Sequence, residues 1–502
     1  METHGQGHPS RALSDTLTGA ITPVTSFEAL NEPEEQSAAG WRRSLAVREA
    51  AARGLITEDS PVAGFVDLAG IGAAQRSLRQ AFADAGAQAA VLHTFAAKAA
   101  SLVPMLRLFA DEGMGCEVAS PGELAQALAA GFPPERIVLD APVKTRSELR
   151  NALRLGVSVN ADNLDELARI DEILHELGLD HPAAARPALG LRINPQVGAG
   201  SIGAMSTASQ YSKFGMPLRS TGVRAQILAA FDRYAWLNRL HLHVGSQGCP
   251  LELIARGVRE VYELAEEINA QTQSHGSPQT PAGERAASVG RVTSIDLGGG
   301  LPVNFDDDRV TPTFTQYVDT LRTNVPGLFD GRYALVTEFG RALSAKNGFM
   351  LARVEYAKEI EGRHIALTHA GAQVATRTVF MPESWPLRLG AYDAHGRPKH
   401  GPECVQDVAG PCCFAGDLLA TERKMTALEA GDLVLLHDTG GYYFTATWTY
   451  NSLPRPAVYG FEVAEDESVR FTVLRPQQTL EELVAEAAGG GGGGRSAYPR
   501  AL

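Results

Sequence analysis

The sequence predicts an α/β chain: a (β/α)8 barrel over residues 86–345, followed by a C-terminal β-rich domain over residues 346–485. Three observations carry this expectation. Between residues 88 and 340, eight short apolar runs (AAVLHTF, GCEVAS, RIVLDAP, GVSVNAD, ALGLRINP, RLHLHVGS, SIDLGGG and YALVTEF) alternate with helical patterns. Eight strand and helix units in about 250 residues match a barrel in count and in length; one miscounted strand would leave a doubly wound sheet. After Gly340 the helical period fades, and GFMLARVEYAK, HIALTHAGAQ, GDLVLLHD and SVRFTVLR read as strands between Pro and Gly turns.

Taken in chain order, residues 1–44 are rich in Thr, Ser, Gly, Pro and Glu without a sustained period and read as a disordered tail. Residues 45–85 form an N-terminal segment in which SPVAGFVDLAG adds a strand to the β domain. After the second barrel strand, Ser120, Pro121 and Glu123 predict a capping box with proline at the first helical position, and Gly131 supplies the stop. Thr145 with Glu148 repeats the device, as does Asp162 with Asp165 ahead of Leu167, Ile170, Leu174 and Leu177. Gln271 to Arg291 reads as an exposed loop, and residues 486–502, with six successive glycines from Gly489, as a Gly-rich tail.

Composition narrows the function classes. The 502 residues are 44% hydrophobic and 21% charged with a formal net charge of −13, which argues against a nucleic-acid or anionic-membrane partner. No stretch approaches the roughly eighteen apolar residues of a membrane helix, and METHGQGHPSRALSD lacks the apolar region of a secretory signal, so a cytoplasmic protein is expected. Five cysteines (Cys116, Cys249, Cys404, Cys412, Cys413) are too few and scattered for a disulfide framework, and no CxxC pair suggests zinc; no metal is expected.

In a barrel the functional side chains sit at the C-terminal ends of the strands. Lys98 closes the first strand, as either a solvated edge residue or an imine-forming amine; Lys144 closes the third. His243, Gly245 and Ser246 close the sixth, Gly298, Gly299 and Gly300 the seventh, and Glu338, Gly340 and Arg341 the eighth. Three glycines after an apolar strand expose backbone amides that, with Arg341, could cradle a phosphate. Amine, flat histidine, carboxylate and phosphate cradle around one cavity are what pyridoxal phosphate requires.

These residues carry a resemblance. Over residues 58–460 the chain resembles the fold-type III pyridoxal-phosphate decarboxylases, the family of diaminopimelate, ornithine and arginine decarboxylases. HTFAAKA resembles the family's YAVKAN; GCEVASPGELAQALAAGFPPERIVLDAPVKTRSEL follows its second and third strands; SKFG, HLHVGSQ, IDLGGGLP and EFGR recur in family order. PCCFAGDLLA resembles GPICESGDVL, and DTGGYYFTATWTYNSLPRP resembles DAGAYGFSMSSNYNSRPRP. The resemblance implies an alanine-racemase-like barrel that binds pyridoxal 5'-phosphate, in a homodimer with shared active sites and an amino-acid substrate. It implies that Lys98 holds the cofactor, His243 stacks on its ring, and Glu338 bonds the pyridine nitrogen. Ser246, Gly298 to Gly300, Arg341 and Tyr442 would hold the phosphate. Cys413 and Asp417 would come from the partner subunit, Cys413 to return a proton, with Arg377, Phe414, Asp417 and Arg192 facing the substrate.

Other readings stand beside these. His241 shares a strand face with His243 and competes for the stacking role, Arg192 pairs equally well with a structural carboxylate, and Cys413 could be a small buried hydrophobe. Where the diamine-forming members have Asp or Glu after the cysteine, this chain has Phe414; RPALY has become Arg377, Thr378, Val379, Phe380, Met381, Ala100 replaces the asparagine of the lysine motif, and EPGR has become EFGR. A phenyl ring cannot pair with an ammonium, so the expected substrate is an amino acid other than diaminopimelate or ornithine. The expected activity is pyridoxal-phosphate-dependent decarboxylation, diaminopimelate decarboxylase-like. An amino-acid racemase or epimerase on the same fold, and a catalytically silent regulatory homologue, are the alternatives.

Overall fold

The structure, a computed structural model, describes residues 37–87, 90–181, 186–275 and 291–488. Strand β1 (Val62–Asp67) precedes the barrel strands β2 (Val91–Ala96), β3 (Gly115–Val118), β4 (Ile137–Asp140), β5 (Ser158–Ala161) and β6 (Leu189–Asn194). A two-residue β7 (Met216–Pro217) edges β6, and β8 (Leu237–Leu242), β9 (Ser294–Asp296) and β10 (Ala334–Phe339) complete the set. The eight runs read from the sequence are the eight barrel strands. They pair in parallel in the order β2-β3-β4-β5-β6-β8-β9-β10, and β10 closes onto β2 with Phe339 opposite Phe95.

The helix caps follow the sequence with two shifts. At Thr145 both reciprocal bonds of the capping box form. Ser120 Oγ accepts from the Glu123 N–H (3.1 Å), but Glu123 returns to the N–H of Ala119 (2.7 Å), one residue early. Asp162 is not a cap. Asn163 accepts from the Glu166 N–H (2.9 Å), while the buried Asp162 carboxylate accepts from the N–H of Gly215 (3.0 Å) in SKFG. A buried carboxylate needs an internal donor, and the neighbouring asparagine caps equally well.

The second sheet holds β11 (Gly348–Ile360), β12 (Arg363–Thr368), β13 (Leu389–Tyr392), β14 (Glu403–Ala409), β15 (Leu418–Thr426), β16 (Leu433–Leu436), β17 (Ala457–Val463) and β18 (Val469–Arg475), with β1 between β11 and β17. It is mixed: β1 runs parallel to β17 and antiparallel to β11. The GAQ end of HIALTHAGAQ leaves the strand and enters a helix, Ala372–Phe380.

Residues 38–44, read as tail, are helical. The helix Ala38–Ala52 starts on Ser37, whose Oγ accepts from the Gly40 N–H, and buries Gly40, Ala46, Val47 and Ala50. That face packs into a cluster with Phe65, Phe349, Tyr392 and Phe461 of the second sheet. The buried face mixes small side chains with Leu45 and Arg43, so no strong apolar stripe marks it in the sequence; alanine's helix propensity and the sheet it covers decide the outcome. Gln271–His275 likewise prolong the helix Leu251–His275, since no glycine or proline intervenes before Gly276. Residues 1–36, 276–290 and 489–502, the rest of the expected tails and loop, lie outside the described residues.

Candidate active site

Lys98 sits in a single turn, Ala97–Ala99, directly after β2. Its Nζ lies 2.5 Å from Glu117 Oε2 on β3; the lysine side chain is 43% exposed and the glutamate is fully buried. Burial opposes charge on Lys98, but Glu117, Tyr442 and Glu338 outweigh it and hold the ammonium above the ordinary lysine range. Burial also raises the Glu117 carboxyl against the pull of Lys98, so a proton leaving the amine has an acceptor beside it. Lys144 is consumed elsewhere: its Nζ donates to the carbonyls of Ala141 (2.5 Å) and Asn160 (3.0 Å) and pairs with Glu166 (3.0 Å).

His243 follows β8. Burial, then the cations of Arg192 and Lys98, push its pKa well down, so the imidazole is neutral. The Gly299 N–H donates to its Nδ1 (3.1 Å), which puts the ring proton on Nε2. His241, two residues earlier, is fully buried inside the barrel, 3.5 Å from Asp140 on one side and 3.5 Å from Glu338 on the other. It has no open face on which a ring could stack. Arg192 is turned inward too, pairing with Asp140 (2.9 Å) and lying over Phe214 (4.3 Å), so the structural carboxylate claims it rather than a substrate.

Glu338 ends its strand in the same polar layer. Burial and the nearby Glu117 and Asp140 raise its carboxyl well above the ordinary range, against Lys98 and Arg192, and its Oε1 has no hydrogen-bond partner among the described residues. Below it, Asp296 accepts from Asn160 Nδ2 (3.1 Å) and from the Gly298 N–H (3.1 Å). Burial and Glu338 push the Asp296 carboxyl up to about 7.

The expected phosphate residues converge. Arg341 reaches Ser246 Oγ (3.5 Å) and lies over the Tyr442 ring (4.5 Å), which Arg377, from the helix Ala372–Phe380, also covers (4.5 Å). Tyr442 has φ +70°, a left-handed backbone unusual for a large residue, and its N–H donates to the Ala99 carbonyl beside Lys98 (2.8 Å). At Gly298, Gly299 and Gly300 any Cβ would collide with the carbonyls of Leu242, Glu338 and Gly245 respectively, so only glycine permits this close approach. Two of the three amides already have internal acceptors, those of Gly298 and Gly299.

The cysteine loop lies on the second sheet. Cys413 is exposed and Cys412 is buried, so the thiol in the family position is the accessible one. The Cys413 N–H donates to Asn451 Oδ1 (2.7 Å). Phe414 stacks on Phe380 (5.6 Å, 4°) and meets Trp448 and Tyr450 edge-on. Asp417 departs from expectation: it is buried, and its two oxygens accept from the N–H groups of Ala372 (2.6 Å) and Cys412 (2.7 Å). It therefore ties the loop to the helix that carries Arg377.

The site fits the implied cofactor. Among the described residues, Glu338 Oε1 and Arg341 Nε are buried without hydrogen-bond partners, which leaves an acceptor and a guanidinium donor unsatisfied. A pyridinium nitrogen and a phosphate supply both. Glu117, Asp140, Asn160 and Asp296 were not singled out in the sequence. Each is a polar residue in a short, fully buried strand (GCEV, IVLD, SVNA and SID), and a polar residue at or near the end of such a run is the signal that marks them.

Comparison with known proteins agrees. The profile described as pyridoxal-dependent decarboxylase, pyridoxal binding domain, matches residues 68–276. The diaminopimelate decarboxylase of Pseudomonas aeruginosa is 32% identical over 412 residues, covering 81% of this chain and 88% of that protein. That of Bacillus subtilis is 30% identical over 412 residues, covering 80% and 86%. The solved Helicobacter pylori diaminopimelate decarboxylase, complexed with L-lysine, superposes with a TM-score of 0.72 at 24% identity, over 88% of this chain and 99% of that one, a likeness of fold. With relatives this similar along most of its length, the chain belongs to the pyridoxal-dependent decarboxylases, carboxy-lyases that act on amino acids with pyridoxal 5'-phosphate.

Proposed function

We propose that the protein decarboxylates an amino acid whose distal end is uncharged, in a homodimer whose active sites are shared. The observation that carries the substrate class is Phe414, held against Phe380, Trp448 and Tyr450 beside the exposed Cys413. An ammonium placed there would lose hydration and gain no carboxylate.

Bound pyridoxal phosphate supplies the electron sink for the pair released when the Cα–carboxylate bond breaks. The chain's residues do the rest. Lys98 holds the cofactor through its amine, and Glu117 accepts the proton that the amine must lose. Glu338 keeps a proton at the pyridine nitrogen, and the neutral ring of His243 covers one face. Ser246, Arg341 and Tyr442 would hold the phosphate end, over the close backbone approach that Gly298 to Gly300 permit. After carbon dioxide leaves, Cys413 of the partner subunit returns a proton to the Cα atom.

Phe414→Glu tests the substrate class. A charge-assisted pair is worth roughly 1.5–3 kcal/mol, so the variant should gain about ten- to a hundredfold for lysine, ornithine, arginine or diaminopimelate relative to neutral amino acids, read as released carbon dioxide. Efficient turnover of a dibasic substrate by the wild type, unaltered by the substitution, would sink the proposal. Diaminopimelate is the second reading, favoured by the unpartnered Arg377 Nη1, which can take a second carboxylate, and by the names of the relatives; the same panel decides between them.

The homodimer rests on exposed Phe380, Met381 and Tyr450 around the cysteine loop, an apolar surface that a second subunit would cover. Mixing inactive Lys98→Ala with inactive Cys413→Ala should restore about a quarter of wild-type activity, because half of randomly paired dimers are mixed and each has one intact site. Confirmed subunit exchange without returning activity would rule out shared sites. Among the described residues no helix is long and apolar enough to cross a membrane, and all five cysteines are free thiols, which supports a cytoplasmic protein.

A further inference from the structure

Three segments supply the phosphate cradle: the loop after β9 with Gly298 to Gly300, the turn with Arg341, and the turn after β16 with Tyr442. One buried charge network anchors all three. Asp308 lies on the first segment, Lys346 follows Arg341, and Asp438 precedes Tyr442. Arg388 joins Asp308 (2.7 Å) to Asp438 (3.2 Å), and Lys346 Nζ joins Asp438 Oδ2 (3.2 Å) to the Asp307 carbonyl (2.5 Å). The fifth member comes from the N-terminal segment. Arg43, in the helix Ala38–Ala52, reaches Asp308 Oδ2 at 2.6 Å, and the helix N-cap Ser37 lies 3.4 Å from the same oxygen. None of these five charged side chains is more than 17% exposed.

The loop needs such anchors. Residues 301–313 have no helix or strand of their own. Gln247 grips the start through both bonds to Val303 (2.6 and 3.0 Å), and Asp308 holds the far part. Between the anchors Phe305 packs edge-on against Trp385 (6.4 Å), and Arg341 and Arg377 lie over that same indole at 4.7 and 5.1 Å. A loop released at Asp308 therefore shifts the surface on which Arg341 and Arg377 rest.

We propose that Arg43 is a positioning residue for the cofactor: through Asp308 it fixes the loop behind the glycine triplet, and so makes the N-terminal helix part of the frame of the phosphate cradle. This rests on the placement of the phosphate at Gly298 to Gly300, Arg341 and Tyr442. In a buried network, removing one partner leaves the other charge incompletely compensated, and the segment bearing it moves to find water.

The test titrates cofactor-free wild type, Arg43→Met, Asp308→Asn and Arg42→Met with pyridoxal phosphate, following the absorbance of the lysine-bound form, and records the thermal midpoint of each apoprotein. Arg42 is the control, because it sits on the same helix but pairs with Asp67, outside the network (2.6 Å). Arg43→Met and Asp308→Asn should each weaken cofactor binding about tenfold or more, with Arg42→Met within about twofold of wild type. Binding by Arg43→Met within about twofold of wild type, whatever its thermal midpoint, would overturn the proposal by showing a merely structural role. An equal loss in Arg42→Met would overturn it as well, by assigning the effect to helix docking in general. Should Arg43→Met fail to fold, Arg43→Gln is read against the same limits. Binding that survives in Lys98→Ala as the same lysine-linked band would instead count against the site reading, which separates the two failures.

Discussion

Lys98→Ala is expected to abolish decarboxylation, by roughly 10⁴-fold or more, about 5 kcal/mol of transition-state stabilisation. The expectation rests on position and on elimination together. Lys98 follows the first barrel strand, has Glu117 beside it at 2.5 Å, and keeps a side chain 43% exposed. Lys144 closes a strand as well, but two carbonyls and Glu166 occupy its ammonium, and freeing it would leave those acceptors unpaired in a buried site. Borohydride reduction of the holoenzyme followed by peptide mapping should place the pyridoxyl label on Lys98. A label on Lys144 would overturn the site.

Asp296→Asn is expected to stabilise the apoprotein increasingly as pH rises. The folded carboxyl is pushed up to about 7 from an ordinary 3.8. Below the ordinary value both states hold the proton and the wild type has its full stability. As pH rises through the window the unfolded chain loses its proton while the folded chain keeps it, so the wild type loses about 1.4 kcal/mol per unit, roughly 4 kcal/mol by pH 7. Asparagine removes this dependence. It also keeps the bonds, since its oxygen accepts from Gly298 and its amide donates to a flipped Asn160, whose Oδ1 has no partner among the described residues. Urea midpoints of both proteins from pH 4.5 to 8 check this. Curves that run parallel would show that Asp296 is ionised throughout.

The fold was legible because its signals are local. Eight apolar runs bounded by caps and glycines announce eight strands, and Thr145 with Glu148 forms its box from four consecutive residues. The ends of those strands named Lys98, His243, Glu338 and Arg341, because a parallel barrel puts every strand's C-terminal end on one face. Where a side chain had two partners to choose from, neighbours in sequence could not decide. Asp162 yielded its cap to Asn163 to bond Gly215; Asp417 turned to Ala372 and Cys412.

By itself the sequence determined the strand count, the order of the motifs and the chemistry they can support, since periodicity and capping act over a few residues. Only the tertiary structure decided which polar groups compensate one another. His241 lies between Asp140 and Glu338, Arg192 belongs to Asp140, and Arg43 reaches across 265 residues to Asp308. A buried charge must find its partner in space, and the closure of the barrel and the docking of the second sheet, rather than any local period, set where that partner stands.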